Sequence, residues 1–187
     1  MTLKPIKNTF IFKFLDSIDS KGQFNKNTTE AGIILQASFD DSAKESRWVK
    51  IDNVGPECEI LKPGDVVLLP ALRWTSGVKF GDEKVWKSDE KQAVVVLDDD
   101  DTMIPLRDIV VFKKSKDEEL VSTFGIVLVS DPDSNSPRGC VVTTGPDCVD
   151  AVLEDTMYYD ETNFFDTFTH KGTKYAFIKE ENILAFA

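Results

Sequence analysis

The sequence has few of the residues that form metal sites, disulfide frameworks and catalytic triads. It contains one histidine and three cysteines in 187 residues. The histidine, His170, precedes Lys171-Gly172, a pattern typical of a hairpin turn, so we expect neither a histidine-based metal cluster nor a Ser-His-Asp triad. The cysteines are Cys58, Cys140 and Cys148. Their odd number and the lack of a Cys-x-x-Cys pair argue against a disulfide framework or a zinc knuckle, so we expect reduced thiols.

Basic residues and long apolar runs are also scarce. The 22 Lys and Arg residues face 33 Asp and Glu residues, which gives a net charge of −11. Binding to nucleic-acid phosphates needs a basic face, so we expect no nucleic-acid partner. No apolar run approaches the roughly 18 residues of a membrane-spanning helix, and the first ten residues lack the apolar core of a signal peptide. We therefore expect no membrane partner and a cytoplasmic location.

Motifs for nucleotides and other ligands are missing as well. The chain has no Gly-x-Gly-x-x-Gly, which argues against the dinucleotide-dependent dehydrogenases. We expect Trp48, Trp74 and Trp86 to pack inside a barrel or at a subunit interface rather than to form a ligand cage. The sequence therefore predicts no enzyme, no catalytic residue, no cofactor and no metal.

The chain does contain a series of short apolar runs rich in β-branched residues. Each run is bounded by turn residues such as Lys62-Pro63-Gly64-Asp65. The runs cover residues 9–14, 32–35, 65–69, 93–97, 109–112 and 126–129. No window keeps the i, i+3, i+4, i+7 spacing of an amphipathic helix over three turns. The pattern predicts a chain that is nearly all β.

The sequence also repeats itself, which indicates two domains. Four blocks recur in the same order: residues 5–13 match 105–113, residues 32–35 match 125–128, residues 54–58 match 144–148, and residues 65–69 match 155–159. A run of four aspartates at 98–101 lies between the copies. We therefore place the boundary near Asp101, with predicted domains 1–101 and 102–187.

In each copy a polar segment follows the first predicted strand. These segments cover about residues 16–31 and 114–124, and they are too polar to pack in a core, so we expect mobile loops. Each leads into an apolar block. The blocks are Gly32, Ile33, Ile34 and Leu35 in the first copy and Gly125, Ile126, Val127 and Leu128 in the second. Taken singly they could be ordinary core strands, but their repetition after a polar loop favours a binding role.

The order of these blocks resembles the GroES-type co-chaperonins. That family opens with Pro-Leu-x-Asp-x-Val-x-Val-Lys, passes through a mobile loop into Gly-Ile-Val-Leu, turns at Val-Gly and closes with Glu-x-Asp-Ile-Leu-Ala-Ile. The matching residues are 105–113, 125–128, 145 and 180–186 in the second copy, and 32–35, 41–45, 54–55 and 62–67 in the first. The resemblance spans essentially the whole chain, twice.

Two features depart from the family pattern. Nine residues lead from Gly55 to Gly64 and from Gly145 to Glu154, which is too few for the family's roof hairpin. Phage-encoded co-chaperonins look similar, with a roofless barrel, while the tandem arrangement is similar to the double-domain co-chaperonins of plastids. The first copy also has a poor terminal strand, because residues 102–104 run directly into Pro105.

The resemblance implies an all-β fold of two tandem GroES-like partially open β-barrels, assembled into a ring that caps a GroEL-type chaperonin. The apolar blocks at 32–35 and 125–128 would dock on the chaperonin's apical domains. ATP would act on the chaperonin, so the chain itself would need no cofactor. The client would be a protein such as a phage capsid protein, and a phage-encoded chain would work in the host cytoplasm.

One loop alone is expected to bind weakly. Burying the three apolar side chains of a block contributes about 5 to 9 kcal/mol, whereas ordering five loop residues costs about 5 to 10 kcal/mol. Several linked loops would raise the avidity by about 10² to 10⁴. The alternative is a phage virion structural or decoration protein that reuses the tandem barrel as an assembly module, since a fold does not fix a function.

Overall fold

The computed structural model describes residues 3–16, 45–115, 120–121, 127–128, 137–160 and 166–187. Apart from one-turn 3-10 helices at Glu90–Gln92 and Glu180–Asn182, the regular structure of these residues is β-strand, which confirms the all-β fold class. No helix in these ranges is long and apolar enough to cross a membrane. The chain divides into two compact units, Met1–Leu106 (unit 1) and Arg107–Ala187 (unit 2).

The strands of unit 1 form one antiparallel sheet. They are β1 (Thr9–Phe14), β2 (Arg47–Val54), β3 (Val66–Leu69), β4 (Val78–Phe80), β5 (Glu83–Asp89), β6 (Val95–Leu97) and β7 (Met103–Pro105). Their order across the sheet is β4-β5-β1-β2-β3-β6-β7, so the described strands form an open sheet with β4 and β7 at its edges. Alternate residues of β1 face the core, where Phe10 and Phe12 are fully buried.

Unit 2 contains a six-stranded antiparallel sheet and a separate two-stranded ribbon. Its strands are β8 (Ile109–Lys114), β9 (Leu120–Val121), β10 (Val127–Leu128), β11 (Arg138–Thr144), β12 (Thr156–Tyr159), β13 (Asp166–His170), β14 (Thr173–Lys179) and β15 (Ile183–Phe186). The order β13-β14-β8-β11-β12-β15 leaves β13 and β15 at the edges, and β9 pairs with β10. Phe112 is fully buried and packs against the ring of Tyr159, with the ring centroids 5.1 Å apart.

The two units share a backbone turn at the spacing of the sequence repeat. In unit 1 the Gly55 N–H donates to the Thr9 carbonyl oxygen at 2.8 Å. In unit 2 the Gly145 N–H donates to the Ile109 carbonyl oxygen at the same distance. A Cβ on Gly55 would overlap the carbonyl oxygen of Lys7, so this close approach requires glycine. The repeated Gly-Pro blocks therefore mark one turn that occurs twice.

The division between the units falls after Leu106, whereas the repeat placed it near Asp101. The Asp98 carboxylate accepts the backbone N–H groups of Asp100 and Thr102, which closes a tight turn. This turn brings β7 back against β6, with Ile104 opposite Val96. The expectation of a poor terminal strand at 102–104 is wrong, because β6 is the counterpart of β15 and β7 adds a further strand.

Candidate interaction surfaces

Most of the predicted site lies outside the described residues. This holds for Gly32, Ile33, Ile34, Leu35, Gly125 and Ile126. The last two predicted residues, Val127 and Leu128, form β10 and lie opposite Val121 and Leu120 of β9. The described part of the chain shows instead how the segments that carry the two apolar blocks are attached to their sheets.

Both segments are attached at equivalent positions of the two sheets. In unit 1 the segment lies between β1 and β2, and in unit 2 it lies between β8 and β11. The Leu15 N–H donates to the Trp48 carbonyl oxygen at 3.2 Å. The Ser115 N–H donates to the Arg138 carbonyl oxygen at 3.0 Å. Each hydrogen bond joins the two ends of its segment at the point where the chain leaves and re-enters the sheet, which we call the base of the segment. The sheet itself therefore fixes the attachment points.

An ion pair reinforces this base in unit 1. The Arg47 guanidinium donates through Nη1 to the Asp16 carboxylate at 2.8 Å. Only 1% of the Arg47 side chain is exposed, whereas a third of Asp16 is exposed. A buried guanidinium needs a charged or hydrogen-bonding partner to offset its lost hydration. The pair therefore links Asp16, two residues beyond the end of β1, to Arg47, the first residue of β2.

Aromatic packing surrounds the same base. The Phe14 ring meets Trp74 and Trp86 edge-on, at centroid distances of 5.1 and 4.9 Å. Such edge-to-face contacts contribute about 0.5 to 1.5 kcal/mol beyond the buried area. These two tryptophans thus pack around the end of β1 and support the start of the segment.

The base in unit 2 is built from different side chains. Lys114 takes the place of Phe14 at the end of the first strand, and it is exposed. Pro137 takes the place of Arg47 at the repeat spacing. Because proline carries no charge, this position cannot form the ion pair of unit 1. The backbone attachment is duplicated, but the Asp16–Arg47 ion pair is not.

A carboxylate in each unit holds a loop through three backbone N–H groups, and sequence reasoning missed both. Glu90 accepts from the loop that follows β2, and Glu180 accepts from the loop that follows β11. The donors are Glu59, Ile60 and Leu61 in unit 1 and Val149, Asp150 and Ala151 in unit 2, at 2.8 to 3.1 Å. The signal was available, since the two glutamates lie 90 residues apart, the spacing of the neighbouring blocks.

The electrostatics of Glu180 follow from this geometry. Burial raises the pKa of its carboxyl group, but the three N–H bonds together outweigh burial and hold the pKa below its ordinary value. Glu180 therefore stays ionised and serves as a structural anchor. The same contact in unit 1 is more deeply buried, because Glu90 is only 7% exposed.

A shallow groove of about 390 Å³ lies on unit 1 near the end of β5. It is lined by Thr9, Arg73, Trp74, Thr75, Lys87, Ser88, Asp89 and Gln92. The Ser88 hydroxyl donates to the Arg73 carbonyl oxygen at 2.6 Å, and the Lys87 N–H donates to the Thr75 hydroxyl at 3.3 Å. These groups are used within the fold, so they do not converge on a ligand position.

The cysteines and acidic residues form no metal site in the described ranges. No group of three or more His, Cys, Asp or Glu side chains there could hold an ion. Burial raises the pKa of the Cys58 and Cys148 thiols, which lie against the Thr9 and Ile109 carbonyl oxygens at 3.5 and 3.6 Å. Both thiols fill equivalent positions beside the first strand of their unit.

Comparison of the chain with protein-family models and with curated proteins finds no match.

Proposed function

We propose that the protein is a co-chaperonin that assembles into a ring and caps a GroEL-type chaperonin during ATP-dependent protein folding. The observation that carries this proposal is the equivalent placement of the two apolar blocks. The first block lies between β1 and β2 and the second between β8 and β11, and both segments close on an equivalent backbone hydrogen bond. Because both apolar blocks occupy equivalent positions in the two units, we expect both to serve the same function.

The contacts at the base fit a segment that presents a recognition motif. A fixed attachment point helps a short apolar block to meet a partner, because it limits where the block can lie. The Asp16–Arg47 ion pair and the Phe14 aromatic contacts supply such a fixed point in unit 1. The weak binding of one block makes a ring with many blocks the functional form.

Capture on an immobilised GroEL-type chaperonin, with ATP, with ADP and without nucleotide, tests the proposal. We expect the wild-type chain to bind in a nucleotide-dependent way. The double variant Ile33→Asp/Ile126→Asp should lose binding, because a carboxylate cannot enter an apolar groove without a large desolvation cost.

Two exposed apolar residues outside these segments give matched controls. Leu72 and Val78 lie outside both segments in sequence and are 68% and 65% exposed. Leu72→Asp/Val78→Asp adds the same total charge and should bind chaperonin like the wild type. Equal binding by all three chains would contradict the proposal.

The alternative of a virion structural or decoration protein predicts a different pattern. The apolar blocks would then pack permanently against a neighbouring subunit. Hydrogen exchange would find both blocks protected in the assembled state without chaperonin, and chaperonin capture would fail. Rapid exchange in both blocks, together with nucleotide-dependent capture, favours the co-chaperonin.

A further inference from the structure

At three positions, the loop after β11 in unit 2 exposes apolar side chains that unit 1 does not have. Val149, Val152 and Leu153 are 85%, 59% and 57% exposed. The equivalent positions of the loop after β2, 90 residues earlier, hold two charged residues and a proline: Glu59, Lys62 and Pro63. The exposed apolar surface at these positions therefore belongs to unit 2 and not to the repeated fold.

The two loops are fastened to their sheets in the same way, so the backbone does not account for this difference. In unit 2 the Asp147 N–H donates to the Arg107 carbonyl oxygen at 3.1 Å, and the Glu154 N–H donates to the Val141 carbonyl oxygen at 3.0 Å. Unit 1 has the two equivalent hydrogen bonds at 3.1 and 2.9 Å, from Glu57 to Lys7 and from Gly64 to Ile51. Only the outward-facing side chains have changed between the units.

The loop of unit 2 is also held from its inner side. The Glu180 carboxylate accepts the backbone N–H groups of Val149, Asp150 and Ala151. Cys148 and Ala151 pack against the core of unit 2. A loop fastened in this way keeps its exposed apolar side chains in place, and a preorganised surface loses little conformational entropy when a partner binds.

Acidic residues are interspersed with these apolar ones. Residues 147–155 include Asp147, Asp150, Glu154 and Asp155 and contain no lysine or arginine, whereas the equivalent stretch of unit 1 includes Lys62. Among the described residues, no ion pair involves Asp147, Asp150 or Glu154. Exposed apolar surface with a polar rim is typical of protein interaction sites, and charge complementarity selects the partner. An acidic rim favours a basic partner.

We propose that residues 147–155 form a docking surface for a partner protein segment in which apolar side chains alternate with lysine or arginine. The apolar side chains of the partner cover Val149, Val152 and Leu153. Its cations lie beside the carboxylates of Asp150 and Glu154. This surface is separate in sequence from the apolar blocks at 32–35 and 125–128, so the inference goes beyond chaperonin capping and does not depend on it.

Fluorescence anisotropy of labelled peptides tests the surface. The probe is a peptide of four Lys-Leu repeats. A Lys-Ser peptide carries the same charge without the apolar side chains, and a Glu-Leu peptide carries the opposite charge. A salt concentration of about 0.15 M screens the long-range attraction of any cation to this acidic chain. We expect the Lys-Leu peptide to bind about tenfold more tightly than either control peptide, or better.

A loop exchange removes the apolar surface without changing the net charge. Val149→Glu/Val152→Lys/Leu153→Pro gives unit 2 the residues that unit 1 carries at the same positions, so it should fold normally, which far-UV circular dichroism checks. It should bind the Lys-Leu peptide about tenfold more weakly. Leu72→Glu/Val78→Lys is the matched control, at residues of unit 1 that are 68% and 65% exposed, and should bind like the wild type.

A second pair of variants tests the acidic rim. Asp150→Asn/Glu154→Gln keeps the apolar side chains and removes two charges. It should lower the preference for the Lys-Leu over the Glu-Leu peptide by about threefold or more. Glu57→Gln/Glu59→Gln removes two charges from the equivalent loop of unit 1 and should leave the preference unchanged.

Several results would overturn the proposal. They are a wild-type chain that binds none of the peptides, equal binding of the Lys-Leu and Lys-Ser peptides, and a loop exchange that binds like the wild type. Sedimentation velocity adds a further one. A wild-type dimer that the loop exchange dissociates, and that the Lys-Leu peptide does not, would show that a second copy covers this surface instead.

Discussion

Units 1 and 2 share a pattern of strands and backbone hydrogen bonds, and they differ in the side chains that surround it. Their first strands, glycine turns and glutamate anchors recur at the repeat spacing. The base of the long segment does not, because Arg47 and Phe14 of unit 1 are replaced by Pro137 and Lys114 in unit 2. Backbone pairing tolerates many side chains, whereas a buried ion pair requires two particular ones. Duplication has therefore preserved the architecture and allowed the two attachment points to diverge.

The aromatic residues offer a way to follow each unit separately. All three tryptophans lie in unit 1, at 48, 74 and 86, and all three tyrosines lie in unit 2, at 158, 159 and 175. Tryptophan fluorescence therefore reports the unfolding of unit 1, and tyrosine absorbance reports that of unit 2. This division makes the comparison between the units measurable.

The largest expected effect comes from matched core truncations. Phe12 and Phe112 are both fully buried in equivalent strands. Phe12→Ala should lower the stability of unit 1 by about 3 to 5 kcal/mol, and Phe112→Ala should do the same to unit 2. Urea unfolding should show the first change in the tryptophan signal and the second in the tyrosine signal. Equal shifts of both signals by either change would show that the units unfold together.

Asp16→Asn should have a smaller effect, confined to unit 1. The asparagine keeps the shape but removes the negative charge beside the buried Arg47, which should cost about 2 kcal/mol. The urea midpoint measured by tryptophan fluorescence should fall. Asp82→Asn removes an exposed charge from the turn between β4 and β5 and should leave the midpoint unchanged. Similar midpoints for the two variants would mean that the ion pair contributes nothing to the base.

Glu180→Gln should have the smallest effect, and it should depend on pH. The three N–H bonds favour the ionised carboxylate, so its loss should destabilise unit 2 by about 1 kcal/mol at neutral pH. The folded pKa lies below the ordinary value of 4.5. The contribution is therefore complete above that pH and disappears as the pH falls through the folded pKa.

Tyrosine-detected unfolding from pH 7 to pH 3 measures this dependence. The wild-type chain and Glu180→Gln should differ most at pH 7 and converge at the acidic end. Glu181→Gln, a neighbouring exposed glutamate, should follow the wild-type curve. A constant difference at every pH would mean that the carboxylate charge plays no part.

Several strands could be predicted from local pattern because their own residues determine them. The runs at 9–14 and 109–112 became β1 and most of β8, and Lys171-Gly172 forms the turn between β13 and β14. Strand β4 was missed, because it has only three residues, all of them exposed, which is too short for a recognisable apolar run. Strand β7 was missed because it too has only three residues, and the last is a proline, which is rare inside strands.

Some features of the candidate sites could likewise be predicted from the sequence, and others could not. The place of each segment after a first strand was predictable from the repeat. The Arg47–Asp16 pair was not, because the two residues are 31 positions apart and nothing local marks that arginine as buried. The roles of Glu90 and Glu180 depend likewise on loops about 30 residues away.

The order of residues alone gives the strand character, the duplication and the two apolar blocks, because these depend on spacing within short stretches. The tertiary structure decided which of two similar segments is paired and which is exposed. Residues 103–105 form β7 and pair with β6, whereas residues 3–6 form no strand and β15 is an edge strand of the described sheet. Pairing depends on a partner strand being within reach, and no short stretch of sequence contains that information.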